Sequence, residues 1–201
     1  EVRILTGQGN GKFNAPITLS SILSIQIVDI NNDNKLDIVG ISISNKAISY
    51  INNGALSFTR KESPTTATTT SNSVSVGDFN NDGFNDLAIL NSSKNKISIL
   101  KGKGDGTFSD FNSYITGEQS LSIINGDFNN DGILDIVTAS IGSSGELSLL
   151  LGNGDGSFKL PRRGLVGVIN KILKCDANND GNLDIAAIYA GGNFGGFEGT
   201  G

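Results

Sequence analysis

Short runs of apolar or alternating residues recur along the whole chain, separated by polar clusters rich in Gly, Asn and Asp. Runs such as SIQIV and VSVG alternate in the manner of a half-buried strand. Others, such as LDIVGI, DLAIL, LDIVTA and LDIAAIY, are nearly continuous in apolar residues, which is typical of a strand covered on both faces. This pattern predicts an all-β protein.

One polar segment occurs four times, as DINNDNKLDIV, DFNNDGFNDLA, DFNNDGILDIV and DANNDGNLDIA. The copies begin at Asp29, Asp78, Asp127 and Asp176, so each is 49 residues from the next. A constant period of this kind indicates a repeat protein.

A second motif lies between these copies and ends in Phe. It reads GQGNGKF to Phe13, GKGDGTF to Phe108 and GNGDGSF to Phe158, with a degenerate form, INNGALSF, to Phe58. Its Gly, Asn and Asp residues tolerate the positive φ that a tight hairpin turn requires. Each repeat therefore contains four short strands, which is the content of a β-propeller blade. We predict an all-β propeller of about four four-stranded blades over residues 1–190, followed by a Gly-rich tail, residues 191–201.

The two ends of the chain match complementary halves of a blade. The opening segment EVRILTGQGNGKFNAPITL matches strands three and four, and KILKCDANNDGNLDIAAIYA matches strands one and two. Three arrangements are compatible with this: a ring closed by pairing of the N- and C-terminal half-blades, a part of a larger ring or array, or donation of the N-terminal pair to the next molecule, which would build a filament.

The four acidic loops share the pattern D-x-N-x-D-[GN]-x-x-D. Side-chain oxygens at alternating positions, with Gly or Asn at position six for a sharp bend and a backbone carbonyl at position seven, are the ligands of a hard cation and favour Ca²⁺ over Mg²⁺. We predict about four Ca²⁺ ions, one for each loop. The predicted ligands are Asp29, Asn31, Asp33, Lys35 and Asp37; Asp78, Asn80, Asp82, Phe84 and Asp86; Asp127, Asn129, Asp131, Ile133 and Asp135; and Asp176, Asn178, Asp180, Asn182 and Asp184.

Two other interpretations of these loops were weighed. An EF-hand needs a bidentate Glu at position twelve and flanking helices, whereas position twelve here is Gly40, Ile89, Thr138 or Ala187 within apolar strands. Asn-Asp-Gly clusters also form ordinary turns between strands. Four copies with the same three Asp and one Asn, including an Asp beyond the turn itself, favour calcium over the turn alone.

Composition narrows the function further. The chain has no His and a single Cys175, which excludes His-dependent nucleophilic catalysis and most zinc sites. The net charge of -5 argues against nucleic acid as a partner, and no apolar run is long enough to span a membrane. The chain also has no Met, so Glu1 is expected to begin a processed or excised piece of a longer product.

The first strands of propeller blades line the central channel. Two residues before each loop the chain carries Ile27, Val76, Asn125 and Lys174. We expect these positions to form the channel wall, with Asn125 and Lys174 either simply wetted or facing a ligand.

The pairing of D-x-N-x-D-G-x-x-D with G-x-G-[DN]-G-x-F resembles the FG-GAP/VCBS repeat of integrin α-subunit propellers and of large secreted proteins. The resemblance covers about residues 1–190. It implies a β-propeller with Ca²⁺ in loops on one face, an extracellular or cell-surface location, and a role in adhesion or ligand recognition. Integrin-type rings have more blades than the four that fit this chain.

Two functions follow from the resemblance and the composition. The first is a non-enzymatic, extracellular Ca²⁺-binding scaffold for adhesion or ligand binding, whose partner is a protein, a glycan or copies of itself. The alternative is a lectin-like module or a fragment of a polysaccharide-active enzyme. Catalysis is not expected, because the acidic residues outside the loops form no evident pair. Sugar binding is harder to dismiss, although three Tyr and no Trp leave few stacking surfaces. Those acidic residues are Glu1, Glu62, Asp105, Asp110, Glu118, Glu146, Asp155 and Glu198.

Overall fold

The structure is a computed structural model that describes residues 1–19, 22–65, 73–142, 145–165, 167–189 and 196–197. Within these ranges the regular elements are strands, apart from one 3₁₀ turn at Ser92–Lys94. The all-β prediction is therefore confirmed. The strands are β1 (Val2–Ile4), β2 (Ile17–Leu19), β3 (Ile22–Val28), β4 (Asp37–Ser42), β5 (Lys46–Gly54), β6 (Ser57–Pro64), β7 (Val74–Gly77), β8 (Asp86–Asn91), β9 (Lys96–Gly102), β10 (Phe108–Ile115), β11 (Ser120–Gly126), β12 (Asp135–Ser140), β13 (Glu146–Leu150), β14 (Arg162–Leu165), β15 (Ile169–Cys175), β16 (Asp184–Tyr189) and β17 (Gly196–Phe197).

The strands form antiparallel sheets in which neighbours in sequence are neighbours in space. The first sheet is β3–β4–β5–β6, the second β7–β8–β9–β10 and the third β11–β12–β13–β14. The last sheet is β15–β16–β17, and β1–β2 form a separate two-stranded sheet. Three of the repeats thus have the four-stranded unit that the sequence predicts. In each repeat the residue before the acidic loop pairs with the last Asp of that loop, as in Gly77 with Asp86 and Gly126 with Asp135.

The second strand of each sheet is the most deeply covered. All six residues of β4, β8 and β12 are buried, as expected for a nearly continuous apolar strand with a sheet packed on either side. In β16 only Asp184 and Ala187 are buried, because no described sheet follows it.

The core consists of apolar layers between successive sheets. Val39 and Ile41 of the first sheet pack with Leu87 and Ile89 of the second. Leu90 and Ile97 of the second sheet pack with Ile136 and Leu150 of the third. Val137 and Ala139 of the third sheet pack with Ile172 and Ala187 of the last. Each sheet is thus stabilised by its neighbours more than by its own hairpins, as in other repeat architectures.

The Gly-rich motif forms hairpin turns at the predicted places. Gly104 and Gly106 have φ of 70° and 83°, and Gly154 and Gly156 have φ of 79° and 81°. A side chain at Gly104 would also collide with the Phe84 ring, which lies under the turn. These turns join the third strand to the fourth, so they lie at the same end of each sheet as the acidic loops, which join the first strand to the second.

The terminal strands do not close a ring by pairing with each other in the described part of the chain. The sheet β1–β2 packs its Val2, Ile4 and Ile17 on Ile48 and Tyr50 of the first sheet. The edge of β16 that would receive β1 pairs with β17 instead, through Ile185 with Phe197 and Ala186 with Gly196. The N-terminal pair is thus placed as the outer half of a sheet preceding the first one. The predicted tail, residues 191–201, lies outside the described residues except for β17.

The first strands of the four sheets line one open cavity of about 390 Å³. Asn125 and Lys174 lie in its wall, as predicted for the channel. The Asn125 side-chain amide donates to the Val76 carbonyl at 2.9 Å, and the Lys174 ammonium donates to the Asn125 carbonyl at 2.8 Å. Both side chains therefore link neighbouring first strands.

Candidate metal-binding loops

The first Asp of each acidic loop organises the turn by accepting two backbone N–H groups. In the second loop the Asp78 carboxylate accepts from Asp82 at 3.1 Å and from Gly83 at 2.9 Å. The other three loops repeat both contacts, with N–O distances between 2.7 and 3.1 Å. The four loops therefore have one conformation, as their common sequence predicts.

Positions three and five continue the same pattern. In the third loop the Asn129 side-chain oxygen accepts from the Asp131 N–H at 3.1 Å, and one Asp131 carboxylate oxygen accepts from the Ile133 N–H at 2.9 Å. Positions one and three thus direct one oxygen each at the same N–H, that of position five. Side-chain oxygens from alternating positions are gathered on one side of the turn.

The second carboxylate oxygen of position five is occupied by a neighbouring donor in every loop. Lys35 donates to Asp33 and Lys101 lies by Asp82, each at 3.0 Å. In the other two loops the Asn at position three donates to the Asp at position five, at 2.9 Å in the third and 3.0 Å in the fourth. These contacts hold the position-five carboxylate within the turn.

The Asp at position nine lies in a different environment. It is 0–4% exposed in all four loops. One oxygen accepts the N–H of loop position two at 2.9–3.1 Å. In the first three loops the other oxygen accepts an N–H at the end of the third strand, from Asn52, Gly102 or Gly152, at 2.7–2.9 Å. Position nine therefore ties the acidic loop to two strands of its own sheet.

The pKa shifts of the Asp carboxylates have opposite directions at the exposed and the buried positions of the loops. The hydrogen bond from Lys35 lowers the pKa of Asp33, and the N–H of Asn182 lowers the pKa of Asp180. Burial raises the pKa of Asp86 to about 6, although the N–H groups of Gly102 and Phe79 oppose that shift. Burial also raises the pKa of Asp135. The exposed carboxylates are thus held ionised, whereas these two buried ones take up a proton more easily.

Neighbouring loops are joined by Asn side chains. The Asn32 amide donates to the Gly83 carbonyl of the next loop at 2.9 Å, and the Asn85 amide donates back to the Asp29 carbonyl at 2.9 Å. Between the third and fourth loops the Asn130 side-chain amide donates to the Asn182 side-chain oxygen. Asn side chains therefore connect the first loop to the second and the third loop to the fourth.

The loops contain the oxygen donors that Ca²⁺ takes, but those donors are not arranged around a common point. Each offers carboxylate, amide and carbonyl oxygens, which are the ligands that Ca²⁺ takes. Among the described residues, however, no group of three or more acidic or Cys side chains is placed to hold a metal ion. The reason lies in the contacts above, because position five faces its internal donor and position nine faces backbone N–H groups.

The repeat of the loops and the sheets between them is also recognised at the sequence level. The FG-GAP-like repeat model matches residues 29–89, 78–138 and 127–187, each match running from one acidic loop through the following one. The chain belongs to the FG-GAP-like repeat family. The family resemblance inferred from the two motifs is confirmed.

Other comparisons add little to this assignment. A search of curated proteins finds no match to the chain. Among solved structures, a chain in the Photorhabdus luminescens Tc holotoxin pore is similar at 16% sequence identity and a TM-score of 0.43. That alignment covers 93% of the present chain and 10% of the toxin chain. A likeness this distant says nothing about what the FG-GAP-like chain binds.

Two features of the FG-GAP-like loops were not predicted from the sequence. The role of position nine as an anchor for two backbone N–H groups depends on contacts that only the folded sheet provides. The role of position four had a signal, since it is Asn in all four loops. Asn32, Asn81, Asn130 and Asn179 have φ of 55–60°, the left-handed region that Asn tolerates best among residues with a side chain.

Within the described ranges, the chain contains no helix with the length and apolar character needed to cross a bilayer.

Proposed function

We propose that this chain is a non-enzymatic Ca²⁺-binding scaffold that works outside the cell, in adhesion or ligand binding. The observation that carries the proposal is the fourfold recurrence of one loop conformation with the same oxygen donors. The Asp at positions one and five and the Asn at position three are the same in all four loops, and each presents a side-chain oxygen of the kind that Ca²⁺ takes.

Ca²⁺ would act on the exposed half of each loop. The side chains that would hold it are the Asp, Asn and Asp of positions one, three and five, with the carbonyl of position seven. Binding requires the position-five carboxylate to exchange its second donor, such as Lys35 or Asn129, for the ion. Exposed ion pairs and hydrogen bonds of this kind contribute little to stability, so the exchange costs little free energy.

The ion would also relieve charge repulsion in the loops. Each loop carries three Asp within a short segment, and the chain has a net charge of -5. Four Ca²⁺ ions add eight positive charges, which brings the formal charge to +3. Metal binding is therefore expected to stabilise the folded sheets.

Two of the acidic residues outside the loops, Glu62 and Glu146, support a scaffold rather than an enzyme. Glu62 pairs with Lys46 and Arg60, and Glu146 accepts from Ser148 and lies beside Arg163. These carboxylates are engaged in surface ion pairs instead of facing each other across a cleft. Glycan binding gains no support from the tyrosines, since Tyr50 is 5% exposed and the Tyr114 hydroxyl accepts from the Phe158 N–H.

A calorimetric Ca²⁺ titration of chelator-stripped protein tests the metal part of the proposal. We expect about four bound ions, and one fewer for Asp131→Asn, which removes a ligand from the third loop only. Glu1→Gln is the control, because it removes an exposed carboxylate outside the loops and should leave the number unchanged. A titration with no heat and no bound metal would show that the loops are turns only.

The scaffold part is tested separately with immobilised chain and arrays of extracellular matrix proteins and glycans. Saturable binding that depends on Ca²⁺ supports a ligand-binding scaffold. Turnover of a polysaccharide would contradict the non-enzymatic proposal.

A further inference from the structure

The four acidic loops divide into two groups by the donor that contacts the position-five carboxylate. In the first loop the Lys35 ammonium donates to Asp33 at 3.0 Å, and in the second the Lys101 ammonium lies 3.0 Å from Asp82. In the third and fourth loops the donor is the neutral Asn amide at position three of the same loop. Two loops therefore hold a cation of the chain itself at a proposed Ca²⁺ ligand, and in the other two that contact is with a neutral group.

The two lysines come from unrelated positions of the repeat. Lys35 is position seven of its own loop, where the third and fourth loops have Ile133 and Asn182. Lys101 lies in β9, and the strand pairing places the buried Leu151 at the equivalent point of the third sheet. Each lysine is therefore a property of one loop and not of the repeat.

The ammonium groups cannot leave their loops as a dissolved cation would. Lys35 belongs to the first loop, and Lys101 is held by a strand of the same sheet as the second loop. When a doubly charged ion takes the position-five carboxylate, the displaced ammonium stays within the length of a lysine side chain and repels the ion. The exchange in these two loops thus has an electrostatic cost that a neutral Asn amide does not impose.

Hydrogen bonds between loops follow the same division. The side chains of Asn32 and Asn85 connect the two loops that carry a lysine contact. The side chain of Asn130 connects the third loop to the fourth. Each loop is therefore bonded to another loop of its own group.

We infer that Lys35 and Lys101 act as internal competitors of Ca²⁺, so that the third and fourth loops fill first and the first and second loops fill at higher Ca²⁺ concentration. The inference rests on the proposed calcium binding and adds its order. A tethered unit charge several ångströms from a doubly charged ion at a solvated site lowers the affinity about fivefold. A chain with two groups of loops responds over a wider range of Ca²⁺ concentration than one with four equal loops.

A Ca²⁺ titration of the chelator-stripped chain, followed by ¹H–¹⁵N correlation spectra, reports on each loop separately. The position-six amide is the probe, because in every loop it donates to the Asp at position one, a proposed ligand. These amides belong to Asn34, Gly83, Gly132 and Gly181. We expect the resonances of Gly132 and Gly181 to reach half of their change at about fivefold lower free Ca²⁺ than those of Asn34 and Gly83.

Four substitutions isolate the charge of the lysines. Lys35→Gln should lower the midpoint of the first loop about fivefold and change that of the second much less, and Lys101→Gln should do the reverse. Lys35→Arg keeps the charge and should fill like the wild type. Lys46→Gln is the matched control, because Lys46 pairs with Glu62 at the opposite end of the first sheet and should leave all four midpoints unchanged.

The outcomes distinguish the inference from the proposed function. Equal midpoints in all four loops, or Gln variants that fill like the wild type, would overturn the inference and leave the proposed calcium binding intact. Spectra that do not respond to Ca²⁺ at any loop would overturn the proposed binding and the inference with it. Thermal unfolding in chelator checks that each variant is folded, and little loss is expected because the three lysines are exposed or half-exposed.

Discussion

Each acidic loop has an exposed or half-exposed rim, positions one and three to six, and a buried anchor, the Asp at position nine. The rim carboxylates bond to N–H groups of their own turn, such as Asp127 to Asp131 and Gly132. The anchor bonds to groups that are distant in sequence, such as Asp135 to Gly152. An Asp side chain therefore stabilises the local turn at one position of the loop and the sheet at another. The loops consequently combine a part that the fold needs with a part that is available to a ligand.

The largest expected effect separates anchor from rim. Asp135→Ala leaves the buried N–H groups of Phe128 and Gly152 without acceptors, which should lower the free energy of unfolding by about 4 kcal/mol. The measurement is urea denaturation in the presence of chelator. Asp131→Ala in the same loop is the matched variant and should cost less than about 1 kcal/mol, because its contacts are exposed. Equal losses for the two variants would remove the distinction.

A smaller effect is expected at the bend of the rim. Gly132 has φ of 80°, and the space around it is open. Gly132→Ala therefore introduces backbone strain without a steric clash, and should cost about 1 kcal/mol. Gly164→Ala, in β14, also has open space but no positive φ, so its unfolding free energy should be close to that of the wild type. A substantial loss at both positions would point to a general intolerance of side chains instead.

The pH dependence of the metal-free protein should reveal the anchor of the second loop. Burial raises the pKa of Asp86 to about 6 in the folded state, whereas an unfolded Asp titrates near 3.9. The folded state then binds a proton before the unfolded state does, so stability increases as pH falls from 7 to 5. The expected gain is about 1 kcal/mol in chelator. The carboxylates whose pKa is lowered, such as Asp33 and Asp180, titrate below this window.

Asp86→Asn is the matched variant for the pH experiment, because it cannot titrate. Its stability should increase less than that of the wild type between pH 7 and 5, and the part that remains belongs to Asp135, whose pKa burial also raises. The variant is less stable overall, since the amide cannot accept both N–H groups. If the wild type instead loses stability as pH falls through this range, the Asp86 carboxylate is not the group that controls it.

The sequence predicted the strands and turns of each repeat, but it did not predict which faces of the sheets are buried by a neighbouring sheet. The strands, including the fully buried β4, β8 and β12, follow from apolar runs in the sequence. The hairpin turns follow from Gly residues at the positions that need a positive φ. The outcome at the ends was not predictable in the same way. Ile25 and Ile123 occupy the same place in the repeat, yet one is 37% and the other 5% exposed, because the second sheet packs on Ile123.

The loops show the same division between local and distant information. The oxygens at positions one, three and five could be identified from spacing alone, since a turn of this sequence places them together. The anchoring role of Asp37 could not, because its partner Asn52 is 15 residues away, in the next strand, β5. Asn85, which reaches Asp29 of the preceding loop, gave no sequence signal because the other loops have Leu at that position.

Thermal unfolding with and without Ca²⁺ tests most directly whether rim and anchor have separate roles. The informative variant carries Asp33→Asn, Asp82→Asn, Asp131→Asn and Asp180→Asn together, which keeps an acceptor at position five and removes one carboxylate from every rim. In chelator it should melt within a few degrees of the wild type, since only exposed contacts are lost. Excess Ca²⁺ should raise the melting temperature of the wild type by more than about 10 °C and leave the variant nearly unchanged. An equal response of both proteins to Ca²⁺, or none in either, would contradict the account.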